Sequence, residues 1–261
     1  MNAPDIHPLA VVAPSARLGG GVKVGPYAII GEETELGEEC VLHAHAVVQG
    51  PAKIGRGNLF HPFCSVGGDP QDLKFHGERT QLTIGDKNTF RENVTVSRGT
   101  VGGGGITTIG NGSLFMAYAH IAHDCHVGDE TIFANGATLA GHVTVGDYAT
   151  IGAFSPVHQF CRVGRYAYVG ASTVITQDVP PFCRVVTERK TKNYGLNTVG
   201  LERRGFSPER LQSLQRAYRF LLRSKMNTSQ ALAKAREALS GSEDVRELLE
   251  FIEHAERGFV K

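Results

Sequence analysis

The sequence predicts a mainly β solenoid of short stacked strands, followed by a small C-terminal α-helical domain. Three observations predict it. An aliphatic residue or Phe recurs every six positions from Ile6 to Ile175. The residue two places before it is usually small, as at Cys40, Ala46, Cys64, Ala119, Cys125, Ala137, Ala149 and Cys161. The period then stops near Asp178-Val179-Pro180-Pro181, and helix-start signals take over.

The repeat runs in two phases. Ile6, Val12, Leu18, Val24, Ile30, Leu36, Leu42, Val48, Ile54, Phe60 and Val66 hold the first, which returns at Ile84, Phe90 and Val96. Ile109 opens the second, which continues in steps of six to Ile175. Six residues are too few for a helix with its own core. They suit a short strand and a turn, and the Gly that often follows the aliphatic suits the turn. One hexad cannot bury its own aliphatic side chain, so hexads must coil and stack. Period-two alternation sends the small residue inward beside the aliphatic, which makes four of the five Cys small core residues. The pattern resembles the hexapeptide-repeat proteins, whose fold is a left-handed parallel β-helix with three hexads per 18-residue coil. The 26 hexads then imply about nine coils, roughly 40 Å at about 4.8 Å per layer.

Two segments interrupt the solenoid, which is expected to span 1–191. At 67–83 the phase would place Asp72 and Glu78 in an apolar core at high cost, so this stretch is expected to loop out. At 97–108 seven extra residues, including Gly102 to Gly105, predict a second, flexible loop. Loops on a rigid solenoid are where function concentrates. The helical domain is expected over 192–261. Ser207-Pro208-Glu209 reads as N-cap, first-turn Pro and first-turn acid. Leu211, Leu214, Tyr218 and Leu221 or Leu222 form one apolar face. Thr228 or Ser229 is expected to cap a second helix, and Ser242 a third carrying Val245, Leu248, Leu249 and Ile252. This domain is expected to cap the open end of the solenoid.

Composition narrows the function. A net charge of +1 argues against a nucleic-acid partner. No apolar run reaches the ~20 residues a membrane span needs, and the start MNAPDIHPLAVV lacks the pattern of a signal peptide. Five Cys without a CxxC pair fit a cytoplasmic protein with free thiols.

His120, His123, His126, His142 and His158 fall within 39 residues. Residues 18 apart stack on the outer wall, so His123, Gly141 and Gln159 form one column, with Asp124, His142 and Phe160 beside it. The patch spans about three coils, roughly 10 Å. Three readings follow: surface histidines without chemistry, a three-His metal site, or acid–base catalysis. The spacing of His120, His123 and His126 puts them on differing faces of extended chain, which disfavours metal. The density on one wall favours catalysis.

Several strings carry a closer resemblance: AHIAHDC (Ala119 to Cys125), AGHV (Ala140 to Val143), VHQFC (Val157 to Cys161), QDLK (Gln71 to Lys74), QDVPP (Gln177 to Pro181) and RRGFS (Arg203 to Ser207). They resemble the UDP-N-acetylglucosamine O-acyltransferases, which open lipid A synthesis in Gram-negative bacteria. The resemblance implies a 3-hydroxyacyl group passing from the phosphopantetheine thioester of acyl carrier protein to the sugar 3-position, with no bound cofactor and no metal. It implies His123 as general base supported by Asp124, with the Gly141 backbone N–H holding the oxyanion. It implies that His120, His142, His158, Gln159, Asp72 and Lys74 line the sugar and pantetheine cleft, and that Asn197, Arg203 and Arg204 lie near UDP. Ala171 and Lys190 match positions that limit acyl chain length. The family is a homotrimer with clefts between subunits. Arg162, Arg165, Lys190 and Lys192 are candidates for a basic rim that meets the acidic carrier protein.

Val199 stands where the family often has Glu, which removes an implied uridine or ribose contact. Three alternatives accompany this reading: the same chemistry on a 3-amino sugar or another acceptor, a metal-dependent hydratase of the same fold, and a non-catalytic scaffold.

Overall fold

The computed structural model describes residues 3–187, 191–256 and 258–260. Each hexad is a two- to four-residue strand and a turn, and each strand pairs in parallel with the strand three places later. The result is a three-sided left-handed β-helix. The first wall has 11 strands, beginning at Asp5–Ile6. The second begins at Val11–Val12 and the third at Arg17–Leu18, with 8 strands each. Corners are named here by the walls they join.

The hexad residues fill the interior. Phe60, Phe90, Phe115 and Phe133 stack at centroid spacings of 5.1, 4.9 and 4.9 Å, and all are fully buried. Truncating any of them to Ala would cost about 3–5 kcal/mol. The same ladder locates the interruptions. Leu42 pairs with Phe60 and Phe115 with Phe133, both 18 apart, but Phe60 to Phe90 spans 30 residues and Phe90 to Phe115 spans 25. The excess chain leaves the coil while the core stays in register.

Both insertions exit at corner 2/3. The first is shorter than expected, 69–80, because strands Ser65–Gly68 and Gln81–Ile84 lengthen into it. The second is 98–105, between strands Thr95–Ser97 and Ile106–Ile109. Its expected looseness does not hold for its first half. Ser97, Arg98 and Thr100 are buried. Arg98 donates to the Gly67 carbonyl at 2.7 Å and pairs with Asp69, staking the root of the first insertion. A short 3₁₀ turn, Val101–Gly103, follows.

All five Cys are free and buried, in line with a packing role. Burial pushes the Cys64, Cys125 and Cys183 thiols up to about 12, far from a reactive thiolate.

Beyond the last coil the first wall gains Cys183–Thr187 and an antiparallel strand, Thr191–Leu196. The boundary expected at 191/192 thus falls inside sheet. Four α-helices follow: α1 Thr198–Arg203, α2 Pro208–Tyr218, α3 Thr228–Ala238 and α4 Glu243–Glu253. The sequence pattern omits α1. Ser207 and Ser242 cap α2 and α4 as expected. For α3 the cap is Asn227, in a reciprocal capping box with Gln230, rather than Thr228 or Ser229.

The helices close the C-terminal end of the solenoid. Leu214, Leu248 and Leu249 join Phe182 and Cys183 in one buried cluster, and Val260 enters the solenoid core. Two arginines stitch the junction. Arg162 pairs with Asp178, donates to the His254 carbonyl at 2.9 Å and lies over Phe251. Arg165 pairs with Glu247 at 2.8 Å over Tyr166. Both guanidiniums are engaged within the protein while about a third of each side chain stays exposed. Lys190 lies outside the described residues, and for Lys192 only its strand position is described.

Candidate active site

The turn at corner 2/3 repeats once per coil and sets the site. Its last residue adopts positive φ: Asp124 at 59°, His142 at 63° and Phe160 at 65°. The residue before it, His123, Gly141 or Gln159, faces outward. Coil by coil the column is as expected: the His142 N–H donates to the His123 carbonyl at 3.1 Å, and the Phe160 N–H to the Gly141 carbonyl at 3.3 Å.

His123 Nδ1 lies 2.8 Å from Asp124 Oδ2. The Asp124 side chain is fully buried and that of His123 is 14% exposed. The carboxylate accepts, so Nδ1 carries the proton and Nε2 keeps a free lone pair. Asp124 is itself held from a segment that sequence reasoning does not assign. Thr100 donates to Oδ1 from its N–H at 2.7 Å and to Oδ2 from its hydroxyl at 2.6 Å. The Asp124 N–H donates to the Thr107 hydroxyl at 2.8 Å. No hexad phase points to Thr100, since the insertion breaks the period there.

Gly141 sits against the His123 ring. A Cβ on it would lie 2.6 Å from His123 Cε1 and 2.9 Å from Nε2. Among the described residues no protein group accepts the Gly141 N–H. A lone pair that can take a proton and an N–H that can stabilise an anion therefore stand side by side. This is the arrangement that acyl transfer to a hydroxyl requires.

The other histidines divide. His142 stacks on Phe160 at 4.5 Å and meets His123 edge-on at 5.2 Å. His120 stands on the second wall, 2.7 Å from the Thr95 hydroxyl. Burial lowers its pKa and so does the nearby His123, which favours a neutral ring. His158 and Gln159 are exposed one coil below Gly141, with His158 Nδ1 3.1 Å from the Gln159 carbonyl. His126 lies on the third wall beside Thr108, apart from the rest. His120, His123 and His126 do not converge. A different trio, His123, Asp124 and His142, brings possible ligand atoms within 4.8 Å of one another. Asp124 Oδ2 in that trio already accepts from both His123 and Thr100.

Asp72 and Lys74 ride the first insertion, which leaves the same corner two coils before His123. Asp72 accepts from the Lys74 N–H at 3.0 Å, and Leu73 between them is fully exposed. No described contact links them to His123. Asn197, Arg203 and Arg204 are elsewhere. They line a cavity of about 530 Å³ over the first wall, with Tyr148, Tyr166 and Arg184 among its other walls. Asn197 caps α1 and donates to the Tyr166 carbonyl at 3.1 Å. Arg204 lies over Tyr148 at 4.6 Å and pairs with Glu130. Arg203 is exposed, as is Val199 on the same rim. Ala171 is exposed at corner 1/2, across the second wall from His123. Lys190 is not among the described residues.

A hexapeptide solenoid that carries, on one corner, a histidine–carboxylate pair beside an N–H without a described acceptor points to a class, the hexapeptide-repeat acyltransferases. Residues 106–141 match the bacterial transferase hexapeptide model, and 178–260 match domain 2 of UDP N-acetylglucosamine O-acyltransferase. The acyl-[acyl-carrier-protein]–UDP-N-acetylglucosamine O-acyltransferase of Stenotrophomonas maltophilia (strain R551-3) is 51% identical over 260 residues, covering 100% of this chain and 99% of its own. Its counterpart from Thermodesulfovibrio yellowstonii is 46% identical over 98% of this chain and 99% of its own. The solved UDP-N-acetylglucosamine acyltransferase of Bacteroides fragilis superposes with a TM-score of 0.95 at 37% identity, covering 98% of this chain and 100% of that one. The chain belongs to the acyl-[acyl-carrier-protein]–UDP-N-acetylglucosamine O-acyltransferase family and is an enzyme.

Proposed function

We propose that this enzyme transfers a 3-hydroxyacyl chain from acyl carrier protein to the 3-hydroxyl of UDP-N-acetylglucosamine, the first step of lipid A synthesis. His123 Nε2 takes the hydroxyl proton as the sugar oxygen attacks the thioester carbon. The resulting oxyanion accepts the Gly141 N–H. The tetrahedral intermediate collapses, the carbon–sulfur bond breaks, and the imidazolium returns the proton to the pantetheine sulfur. The products are the 3-O-acyl nucleotide sugar and free carrier protein. The observation that carries this reading is the unaccepted Gly141 N–H beside the His123 ring. No bound cofactor or metal enters these steps. Among the described residues no helix is long and apolar enough to cross a membrane, and a cytoplasmic setting accompanies the proposal.

The active unit in this reading is a homotrimer. His123 stands at corner 2/3, whereas Arg203 and Arg204 stand over the first wall near corner 3/1, facing away from it. Within one chain the two sets stand at different corners. Three copies about an axis parallel to the solenoid can bring them to one ligand, if the second wall of one faces the first wall of the next. That arrangement turns corner 1/2 to the axis. Corner 1/2 bears Tyr27, Phe63, Tyr118 and Phe154, exposed by 52 to 69%, with Tyr27, His45 and Phe63 stacked at 5.1 and 5.0 Å. Such a strip favours cover by protein.

The test is incubation of the purified protein with UDP-N-acetylglucosamine and 3-hydroxyacyl carrier proteins of graded chain length, read by mass spectrometry. The expected product is acylated nucleotide sugar with one favoured chain length. His123→Ala should abolish nearly all turnover while remaining folded. Retention of most activity by that variant would refute the base assignment.

A further inference from the structure

The glycine-rich insertion 98–105 has no role in the steps above, yet it closes over the buried carboxylate of the catalytic pair. Thr100 gives Asp124 two of its hydrogen bonds, one to each carboxylate oxygen. The 3₁₀ turn folds back so that the Gly103 N–H donates to the Thr100 hydroxyl at 3.2 Å. That hydroxyl, already accepting from Gly103, is aimed to donate to Asp124. Gly103 lies so close that a Cβ on it would overlap the Asp124 carboxylate. Thr107, at the far end of the insertion, fixes the Asp124 backbone. Apart from His123, and from His142 whose Nε2 lies 3.8 Å from Oδ2, the groups that hold Asp124 come from this insertion and the strand it leads into.

We infer that Thr100, seated by Gly103, is a positioning residue for the acyl transfer: it fixes the Asp124 carboxylate and through it the ring of His123. The inference rests on His123 being the base. An ionised carboxylate with four lone-pair sites can rotate freely unless donors hold it. Here three short donors fix it: two from Thr100, and His123 Nδ1–H on the oxygen that also takes the Thr100 hydroxyl. Loss of the hydroxyl leaves that oxygen with His123 alone and frees the carboxylate to turn about its Cβ–Cγ bond. The imidazole, 5.2 Å from His142 and in contact with Gly141, then loses its fixed aim at the reacting hydroxyl. A threonine in this place also explains the seven-residue excess. A plain hexad turn has no chain above the Asp124 carboxylate, and the insertion supplies it. The first insertion is tied to the same segment, because Arg98, two residues before Thr100, stakes its root.

The experiment compares Thr100→Val, Thr100→Ser and Gly103→Ala with the parent and with His123→Ala in the full-length protein. It measures kcat and KM for both substrates, thermal stability, and the downfield proton resonance of His123 Nδ1–H. Thr100→Val keeps the side-chain shape and the backbone donor. Its kcat should fall about tenfold to a hundredfold with KM within about twofold, as expected when a charged group loses a supporting hydrogen bond. Thr100→Ser should restore most of the rate, and Gly103→Ala should fall as Thr100→Val does. The Nδ1–H resonance should broaden or vanish in Thr100→Val and return in Thr100→Ser. Parent-like kcat and resonance in Thr100→Val overturn the inference. So does a rate loss that Ser fails to restore, or one matched by a rise in KM and a lower melting temperature, which marks a structural role. If His123→Ala keeps its turnover, the base assignment fails first and this inference with it. If His123→Ala is inactive while Thr100→Val is unchanged, only the positioning role fails.

Discussion

Gly141→Ala is the substitution whose effect the structure defines most sharply. Gly141 lies outside the positive-φ region, so alanine is allowed by the backbone and the effect is one of space alone. The new Cβ would stand 2.6 Å from His123 Cε1 and 2.9 Å from Nε2. Carbon pairs settle at about 3.5–4.0 Å, so ring or backbone must yield by about 1 Å. His123 cannot yield freely, because Asp124 holds its Nδ1 at 2.8 Å. A displacement of about 1 Å in a reacting group costs on the order of a hundredfold, equivalent to about 2.7 kcal/mol of barrier. The methyl group also crowds the path to the Gly141 N–H, whose loss as an oxyanion donor carries about a hundredfold to a thousandfold by itself. The expected kcat is therefore at least about a hundredfold below the parent. Melting temperature should fall as well, because Gly141 is buried and the overlap has to be relieved inside the folded protein. The assay is initial-rate acyl transfer from 3-hydroxyacyl carrier protein, with thermal unfolding measured on the same samples. A variant that keeps more than about a tenth of the parent kcat would refute both the clash and the oxyanion role.

Three further outcomes are expected. Ala171→Met should shift the favoured donor toward shorter acyl chains with little change in kcat for the shortest accepted one, read from the donor panel by mass spectrometry; an unchanged preference would remove Ala171 from the acyl path. His120 is held neutral by burial, so its folded pKa lies below its unfolded value of about 6.5. The unfolded state then binds more protons as pH falls below about 6.5, and stability declines until the folded value is passed; His120→Gln should flatten that loss in denaturant titrations between pH 7 and 5, and an identical slope would show that burial does not control this ring. If the proposed trimer packs about corner 1/2, Phe63→Glu should shift the sedimenting species from trimer toward monomer and lower turnover with it. Intact trimer in that variant would place the axis elsewhere.

Much of the fold was legible because a solenoid writes its geometry into a fixed period. The Phe60, Phe90, Phe115 and Phe133 ladder followed from spacing once the excess chain was removed, and the His123, Gly141 and Gln159 column followed from the 18-residue coil. What the period does not reach stayed hidden. Thr100 lies inside an insertion, where counting loses its meaning. Asn197, Arg203 and Arg204 follow the last coil, so nothing in their spacing could show that they sit over the first wall rather than beside His123. Sequence likewise does not show that Arg162 and Arg165 stitch the helices to the solenoid, with Asp178, Glu247 and the His254 carbonyl packed against them. The cap of α3 was misread for a local reason: Asn227, Thr228 and Ser229 are all competent caps, and Gln230 completes the box only with Asn227.

The position of the site follows from what the β-helix does with its backbone. Along each wall, N–H groups pair with carbonyls of the next coil, as Ala140 does with Val157. At corner 2/3 the His142 N–H also finds a carbonyl, that of His123, but the Gly141 N–H between them finds no protein acceptor among the described residues. The turn therefore leaves an outward donor in this coil without help from any side chain. Place a histidine at the equivalent position one coil earlier, and its ring reaches down over that donor across a layer of about 4.8 Å. The ring fits only if the residue below lacks a Cβ, which makes the pair of His123 followed by Gly141 eighteen residues later a single requirement rather than two. On this argument the reverse exchange, Gly at 123 with His at 141, would carry the ring one coil down over the Gln159 backbone, away from Asp124, and should be inactive even though every residue type is retained.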